Sequence, residues 1–341
     1  SIGEWFGKRG IRTTSPLLIV TDTHVAGLHL PRGKSLLEAA GYTVHAHVVE
    51  AGEKSKSLAV LEEIATSALE AGLERNSVII ALGGGVVGDL AGFAAASYMR
   101  GIRFVQIPTT ILAHDSSVGG KVGVNHPKAK NMIGAFHQPE LVLYDTSLLQ
   151  TLPLREVRAG LAEVLKEGLI WNGAFAYWCG EHADELLALN PQALEIALYE
   201  GCKVKAAVIS QDEKESGLRA ILNLGHTIGH ALEAVTGYGE LLHGEAISIG
   251  MHGSARLAVR LGYPESILEE TVRLLERFGL PTTIPAHIDT EQVLAAMMHD
   301  KKFRDGQMVF IIPVAIGKVE INRQVTIEMV RDVLEQLKER R

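Results

Sequence analysis

The sequence predicts two domains, an α/β domain with a doubly wound parallel sheet over residues 1–152 and an all-helical domain over residues 153–341. Two observations support this fold class. Short apolar runs alternate with helix-like stretches in the first half, a pattern typical of parallel α/β architecture. After Leu152-Pro153 this pattern fades and long helical stretches follow. A length of 341 residues with 47% hydrophobic residues is sufficient for two cores.

Five apolar runs are the candidate strands of the sheet. They cover residues 17–20, 44–49, 78–82, 104–107 and 141–144. Segment 55–71 has apolar residues at helical spacing, which predicts a crossover helix with one buried stripe. The stripe consists of Leu58, Leu61, Ile64, Ala65 and Ala68. Ligands of such sheets bind beyond the carboxyl ends of the strands, so we expect a site in the loops after Leu82, Ile107 and Tyr144.

Long helices are predicted for the second half of the chain. They cover residues 154–170, 191–210 and 244–261, with a last helix over 327–338. Pro281 and Pro285 interrupt the helical pattern before that last helix.

Composition excludes several classes of protein. The formal net charge of −7 argues against nucleic-acid binding, which normally needs a basic face. The chain has no run of about 20 apolar residues and no basic segment followed by an apolar signal core, so we expect a cytoplasmic protein without a membrane partner. Cys179 and Cys202 are too few for a disulfide framework, and we expect buried free thiols.

A glycine-rich segment, residues 83–89, follows the third candidate strand and precedes a helix of small residues. Glycines allow the backbone to approach phosphate oxygens, and a helix N-terminus adds N–H donors, which together indicate a pyrophosphate site. The alternative is a tight strand–helix turn capped by Asp89, because the spacing is not G-x-G-x-x-G. A second loop with Thr109 and Thr110, at the end of the next strand, favours the nucleotide site.

Residues 115–131 form a polar segment with three lysines, two asparagines and three glycines. Together with Arg100 and Arg103 upstream, its cations are suited to holding a phosphate or carboxylate. The alternative is a solvated loop. Because the protein is acidic overall, a concentration of basic residues in one segment favours anion binding.

A metal site is predicted from histidine spacing. His226 and His230 stand at i and i+4 on one helix face, and His243 follows 13 residues later. From spacing alone, His226 and His230 are the first candidates, with His243 or Glu233 as the third; spacing does not rank these sets. Glu163 is a carboxylate in an apolar helix and needs a cation or metal partner if buried. The alternative for any one histidine is a hydrogen-bonded interior residue.

Taken together, these segments resemble the 3-dehydroquinate synthase family. The similar segments cover residues 83–89, 108–110, 115–121, 125–134, 158–166 and 217–230. The resemblance implies a Rossmann-like α/β N-terminal domain that holds NAD, an all-α C-terminal domain that holds zinc or cobalt, and a cleft between them for 3-deoxy-D-arabino-heptulosonate 7-phosphate. It also implies a homodimer and a place in the shikimate pathway.

The resemblance assigns roles to individual residues. It gives Glu163, His226 and His243 as metal ligands and makes His230 a substrate contact and proton-transfer group. The implied cofactor contacts are Asp22, Glu53, Lys56, Gly84, Gly85, Val86, Asp89, Thr109, Thr110, Leu112, Lys121, Lys130, Leu148 and Thr151. The implied substrate and catalytic residues are Lys121, Lys130, Asn131, Lys166, Lys205, Arg219, Asn223, His230, Asp115 and Arg100, the last reaching the phosphate of the neighbouring subunit. One of Lys301 and Lys302 completes the phosphate site.

Two positions depart from the commonest family pattern. His24 stands where Asn is usual, and the Ala113-His114-Asp115 segment is one residue shorter. The implied reaction is oxidation, phosphate elimination, reduction, ring opening and aldol closure, with NAD returned to its starting state. The alternatives are another sugar-phosphate cyclase such as 2-deoxy-scyllo-inosose synthase, a polyol dehydrogenase of the iron-containing type, and a catalytically silent NAD-binding regulator.

Overall fold

The computed structural model describes residues 1–212, 217–237, 239–298, 303–304 and 307–338. The chain divides into two compact units, Ser1–Leu152 and Pro153–Arg341. None of the helices in these ranges combines the length and the apolar character that a membrane crossing needs.

The first unit is an α/β unit. Its strands are β1 (Leu17–Asp22), β2 (Val44–Val49), β3 (Val78–Gly83), β4 (Arg103–Pro108), β5 (Lys121–His126), β6 (Ala129–Phe136) and β7 (Leu141–Val142). Its helices are α1 (Ile2–Lys8), α2 (Thr23–Ala39), α3 (Leu58–Glu70), α4 (Gly85–Ser97) and α5 (Ala113–Ser116), with 3-10 turns at Glu53–Ser55, Tyr98–Arg100 and Thr146–Thr151.

The predicted parallel sheet is confirmed, with strand order β2-β1-β3-β4-β7. Successive residues of a strand point to opposite faces, so Leu17 and Ile19 enter one apolar core while Leu18 and Val20 enter the other. Because both faces are covered at the centre of the sheet, β1 and β3 contain continuous apolar runs, whereas β2 at the edge alternates. Helix α3 covers one face, but its first residue, Leu58, is 51% exposed, so the predicted buried stripe was wrong at this residue.

Residues 121–136 form an antiparallel hairpin of β5 and β6, which includes most of the polar segment predicted over residues 115–131. Val122 and Val124 are buried and pack on α4. Gly92 of α4 makes this approach possible, since a Cβ there would lie 2.4 Å from Val122 Cγ1. The period-2 pattern of β5, with apolar Val122 and Val124 facing inward, explains how so polar a segment becomes part of the fold.

The second unit is mainly helical, as predicted. Its helices are α6 (Leu154–Trp171), α7 (Gly173–Glu181), α8 (Ala183–Leu187), α9 (Pro191–Gln211), α10 (His226–Val235), α11 (His243–Arg260), α12 (Glu265–Arg277), α13 (Thr290–Met298) and α14 (Ile327–Leu337), with a 3-10 turn at Leu218–Asn223. The same unit also contains strands that were not predicted, β8 (Phe303–Arg304), β9 (Gln307–Met308), β10 (Phe310–Ala315) and β11 (Lys318–Asn322).

The hairpin of β10 and β11 contributes to the core of this helical unit. Phe310 and Ile312 are buried with apolar residues of α10, α11, α13 and α14. Pro313 lies where the register of the hairpin shifts, as expected for a residue without an N–H donor inside a strand.

Candidate active site

In the α/β unit, the glycine segment forms the turn between β3 and α4. Gly84 is the N-cap of α4, which begins at Gly85. A Cβ on Gly84 would lie 3.1 Å from Thr110 Cγ2, and one on Gly85 would lie 3.2 Å from Ser116 Oγ. The glycines therefore leave a cradle at a helix N-terminus, the arrangement that suits an anion such as a pyrophosphate.

Two hydroxyl groups beside this cradle support a polar ligand. Thr109 follows β4 and donates its N–H to Gly83 O at 3.0 Å. The buried Thr109 Oγ1 and Ser116 Oγ have no hydrogen-bond partner among the described residues. Buried hydroxyls are normally hydrogen-bonded, so these two atoms, with the adjacent N–H groups, fit the phosphates and ribose of a dinucleotide.

A polar network lies next to the turn and brings together five of the predicted residues. Lys56 is buried, and its Nζ lies 2.6 Å from Asp89 Oδ2 and 2.6 Å from Asn131 Oδ1. Lys130 Nζ lies 3.8 Å from Glu53 Oε1. Asn125 joins the two groups, since its Nδ2 donates to Glu53 Oε1 and its Oδ1 accepts the N–H of Asn131, so candidate cofactor and substrate residues of this unit form one polar network.

The other predicted residues of the α/β unit lie at helix and strand ends, and several of them make local hydrogen bonds. Asp22 caps α2, accepting the N–H groups of His24 at 2.9 Å and Val25 at 2.8 Å. Thr151 Oγ1 pairs with His29 Nε2 at 3.1 Å and donates to Leu148 O at 3.2 Å. The remaining positions lie at the start of α4, in or beside α5 and at the start of β5; they are Val86, Leu112, Asp115 and Lys121.

Arg100 and Arg103, which were predicted to act together, are placed very differently. Arg100 is exposed in a left-handed backbone conformation, with φ of 63°, directly after Met99 with φ of 50°. Arg103 begins β4 and donates to Arg9 O, Gly10 O and Asn76 O. The prediction for Arg103 was wrong, because it lies at the amino end of its strand, and ligands of such sheets bind beyond the carboxyl ends.

In the helical unit, three of the predicted residues converge on one point. Glu163 of α6 is buried; its Oε1 lies 3.1 Å from His243 Nε2 and 3.4 Å from His226 Nε2. His226 is the first residue of α10 and His243 is the first residue of α11. One ligand atom from each of the three residues can be chosen so that all lie within 4.8 Å of one another.

Further contacts orient the two imidazoles. His226 Nδ1 lies 3.1 Å from Leu224 O, and His243 Nδ1 lies 3.1 Å from Glu233 Oε2. In both rings Nδ1 therefore faces an acceptor, which leaves Nε2 directed at Glu163. Histidine ligands of metals commonly have this second partner.

The charges of the cluster shift the pKa values of its members. Burial would raise the pKa of Glu163, but Lys166 Nζ at 2.6 Å and the two histidines hold it well below its usual range. Burial lowers the pKa of His226 to about 4. For His243, burial would lower the pKa, but hydrogen bonds to Glu163 and Glu233 raise it to about 10. The shifts therefore favour an ionised Glu163, with positive charge on Lys166 and His243 rather than on His226.

Close helix contacts fix the positions of the three residues. A Cβ on Gly244 would lie 1.9 Å from Ala159 O, so α11 and α6 touch through their backbones next to His243. A Cβ on Gly250 would likewise lie 1.9 Å from the carbonyl oxygen of Gly225, the residue before His226. Only glycine permits such close backbone contacts. Gly244 is adjacent to His243, and Gly250 lies about two turns further along α11.

An ion pair between the same two helices adds to these contacts. The Arg155 guanidinium donates to both carboxylate oxygens of Glu245, at 2.7 and 2.6 Å. Glu245 Oε2 also accepts the N–H of Leu242 at 2.8 Å and so caps α11. The first turn of α11, which carries His243, is therefore tied to the start of α6.

The remaining predicted residues of the helical unit are mostly buried. Lys166 lies 3.3 Å from Glu167 Oε1 as well as beside Glu163. Lys205 on α9 and Arg219 on the 3-10 turn are buried, Asn223 ends that turn half-buried, and His230 is exposed. Lys301 and Lys302 lie outside the described residues.

The set first favoured by spacing, His226 with His230, is not the set that surrounds Glu163. His230 forms a second group with Glu233 and His243, whose ligand atoms also lie within 4.8 Å. Its ring centroid is 5.2 Å from that of His226, edge to face. Glu167, Asn125 and Ser116 were not singled out by the sequence. For Glu167 a signal existed, since it lies one turn after Glu163 in the same apolar helix.

The Glu163 cluster fits a divalent metal. Two imidazole nitrogens and a carboxylate oxygen are the donors that zinc accepts, and three protein donors leave room for a further ligand. Glu163 and Glu233 contact the histidines of the cluster and Glu167 contacts Lys166, so three carboxylates are gathered here. Their negative charge would stabilise a bound cation.

The fold of the chain is similar to the folds of two solved synthases that contain NAD+ and a divalent metal. The chain has a TM-score of 0.90 with a 2-deoxy-scyllo-inosose synthase in complex with carbaglucose-6-phosphate, NAD+ and Co2+, at 27% identity over 98% of this chain and 94% of the other. It has a TM-score of 0.88 with the 2-epi-5-epi-valiolone synthase of Streptomyces hygroscopicus subsp. jinggangensis 5008 with NAD+ and Zn2+, at 29% identity over 95% and 91% of the two chains.

Sequence comparison identifies the family. Models of the 3-dehydroquinate synthase N-terminal and C-terminal regions match residues 46–159 and 160–303. The 3-dehydroquinate synthase of Desulforamulus reducens is 50% identical over 311 residues, which are 91% of this chain and 87% of that protein. The chain belongs to the 3-dehydroquinate synthase family.

Proposed function

We propose that this chain converts 3-deoxy-D-arabino-heptulosonate 7-phosphate to 3-dehydroquinate and phosphate, which makes it a lyase of the shikimate pathway. The observation that carries the proposal is the buried Glu163–His226–His243 cluster in a member of this family. Relatives of similar fold contain NAD+ with Zn2+ or Co2+. We infer the same two cofactors here.

Residues of the α/β unit would hold the dinucleotide. The turn at Gly84 and Gly85 leaves space for its pyrophosphate, and Thr109 and Ser116 offer hydroxyls to its oxygens. NAD, when bound, supplies a reversible two-electron oxidation of the substrate.

Residues of the helical unit would hold the metal and the sugar acid. Glu163, His226 and His243 are the ligands, and the ion, when bound, supplies Lewis-acid polarisation of substrate hydroxyl oxygens. Arg219 and Lys205 bind the substrate carboxylate, Arg219 offering two parallel N–H donors. His230, exposed next to the cluster, moves a proton at its imidazole nitrogen.

Two lysines and an asparagine of the hairpin would bind the departing phosphate. Lys121, Lys130 and Asn131 donate hydrogen bonds to its oxygens and hold it in the geometry for elimination. The phosphate itself accepts the proton that is removed, so few further acid–base groups are required.

Arg100 would complete the phosphate site of a neighbouring subunit, so we propose a homodimer. Its exposed side chain lies on the second of two successive residues in left-handed conformation, Met99 and Arg100. Mixing inactive R100A and K121A proteins should restore activity, because half of the dimers are hybrids with one of two sites intact, or about a quarter of all sites. No recovery after subunit exchange would contradict the shared site.

The experiment that tests the function measures phosphate release from the heptulosonate phosphate, with and without a chelator and NAD. The expected result is phosphate release that needs both cofactors and leaves no net NADH, because oxidation and reduction cancel. Stoichiometric NADH would instead identify a dehydrogenase. Absence of phosphate release from the fully loaded enzyme would contradict the proposal.

A further inference from the structure

Lys56 is buried and makes contacts that binding a cofactor would not by itself require. Its side chain is 6% exposed, and its ammonium lies at 2.6 Å from both Asp89 Oδ2 and Asn131 Oδ1. Asp89 belongs to α4, the helix that starts at the glycine cradle, and Asn131 belongs to β6. One buried cation therefore links the helix of the cofactor site to the strand of the substrate site.

The link occurs where the hairpin lacks apolar support. Val122 and Val124 pack on α4, but Lys130 and Asn131 lie near the turn between β5 and β6, beyond these contacts. There the structure relies on polar contacts. Asn125 donates its N–H to Lys56 O at 2.8 Å and its Nδ2–H to Glu53 Oε1 at 2.7 Å.

Asn131 has a backbone conformation that needs such support. Its φ is 53°, in the left-handed region that favours glycine. Its N–H donates to Asn125 Oδ1 at 2.9 Å, and its side-chain oxygen accepts from Lys56. Asn131 is thus held from two sides, and its amide nitrogen remains the side-chain donor that a phosphate could use.

We propose that Lys56 is a positioning residue that couples dinucleotide binding to substrate binding, by tying Asp89 behind the cofactor cradle to Asn131 on the substrate hairpin. This inference rests on the proposed function, since it takes residues 53–56 and 84–89 as the dinucleotide site. A dinucleotide that orders these residues also orders the hairpin tip. The sugar phosphate then binds with a smaller entropic cost, which is positive cooperativity between the two ligands.

The test measures this coupling directly in the zinc-loaded protein. The dissociation constant of NADH is determined by calorimetry with and without a phosphonate analogue of the substrate, in which a methylene group replaces the ester oxygen. NADH cannot accept a hydride from the analogue, and the analogue cannot release phosphate, so only binding is measured. In the unchanged protein the analogue should lower the dissociation constant of NADH about tenfold. By linkage, NADH should lower the dissociation constant of the analogue by the same factor.

K56M should reduce the coupling factor to less than about twofold. K54M is the matched control, because Lys54 lies in the same turn but is exposed, and it should retain the tenfold factor. If Lys56 had a purely structural role, K56M would weaken the binding of NADH by the same factor with and without the analogue. The binding of the analogue would likewise weaken by the same factor with and without NADH. K56M with weaker binding but a full coupling factor would overturn the proposal, as would an unchanged protein without coupling.

N131G tests the same coupling between the two ligands in a second way. Glycine accepts the left-handed backbone but removes the acceptor for Lys56, so N131G should also lose the coupling. In the double variant K56M/N131G the coupling factor should be no lower than in K56M, because both substitutions break the same contact between Lys56 and Asn131. If K56M fails to fold, a full coupling factor in N131G overturns the proposal by itself. Failure of the proposed function is distinct, since the unchanged protein would then release no phosphate from the heptulosonate phosphate.

Discussion

In the α/β unit, charged residues of the candidate site pair with one another across a short turn and a hairpin, as Lys56 does with Asp89 and Asn131. In the helical unit, Glu163 and Lys166 lie on the buried face of a packed helix. The first arrangement depends on side-chain hydrogen bonds, which ligands can exchange. The second is held by backbone contacts and burial, so the metal ligands are positioned before the metal binds.

The largest effect is expected from Glu163→Ala, which removes the carboxylate around which both histidines converge. Zinc affinity should fall more than about 100-fold, the upper limit for loss of an outer-sphere partner. Chelator competition and zinc content after dialysis measure this. Glu195→Ala, at an exposed position of α9, should retain zinc. Unchanged zinc content in Glu163→Ala would remove this residue from the ligand set.

Gly244→Ala tests whether backbone contact positions the site. The added Cβ would meet Ala159 O at 1.9 Å, so α11 must move away from α6 and carry His243 with it. We expect a loss of about 2 kcal/mol in the free energy of unfolding and at least about tenfold weaker zinc binding.

Gly27→Ala is the matched control in the α/β unit. Gly27 lies inside α2 with no atom within 4 Å of an added Cβ, so alanine should stabilise the protein by up to about 1 kcal/mol. Equal effects at Gly27 and Gly244 would contradict the proposed difference between the units.

A pH-dependent loss of stability is expected from His252 in the helical unit. Burial lowers its pKa to about 4, while Nδ1 donates to Thr282 O at 2.7 Å and Nε2 accepts from Arg256 at 2.9 Å. The unfolded chain, with a histidine pKa near 6.5, binds the proton more readily, so stability falls as pH drops from about 6.5 to about 4.

Between pH 7 and 5 the contribution of His252 is about 2 kcal/mol. Between pH 7 and 5, the free energy of unfolding of His252→Gln should fall by about 2 kcal/mol less than that of the unchanged protein. Denaturant titration at both pH values measures this difference. Parallel losses in the two proteins would show that His252 is not the titrating group.

The smallest effect is expected from Asp22→Ala in the α/β unit. Asp22 accepts two N–H groups at the start of α2, so its removal should cost about 1 kcal/mol of stability without ligands. Asp22→Asn keeps an acceptor and should be nearly neutral. A loss of several kcal/mol would mean that the α/β unit also depends on rigid buried charges.

The sequence was informative where burial imposes a pattern. Strand β3 was predicted over residues 78–82 and observed over Val78–Gly83, because both faces of its sheet are covered, which requires a continuous apolar run. The β5–β6 hairpin was missed because Val122 and Val124 are its only buried apolar side chains, with Ile133 and Ala135 partly buried, between polar residues. The β10–β11 hairpin was missed because Pro313 interrupts its first strand at a bulge.

The site was only partly predictable for a different reason. Spacing along one helix suggested His226 with His230, but Glu163 and His243 approach each other from positions 80 residues apart. Their proximity depends on the contact of Gly244 with Ala159, which no local pattern indicates. The link from Lys56 to Asn131 likewise spans 75 residues and depends on the fold.

X-ray absorption spectroscopy of the cobalt-loaded protein tests the metal centre most directly, because it counts the imidazoles bound to the ion. We expect two imidazoles with oxygen donors, and the same spectrum in His230→Gln, because among the histidines that the structure describes His226 and His243 face Glu163. Three imidazoles in the unchanged protein, with one lost in His230→Gln, would contradict it.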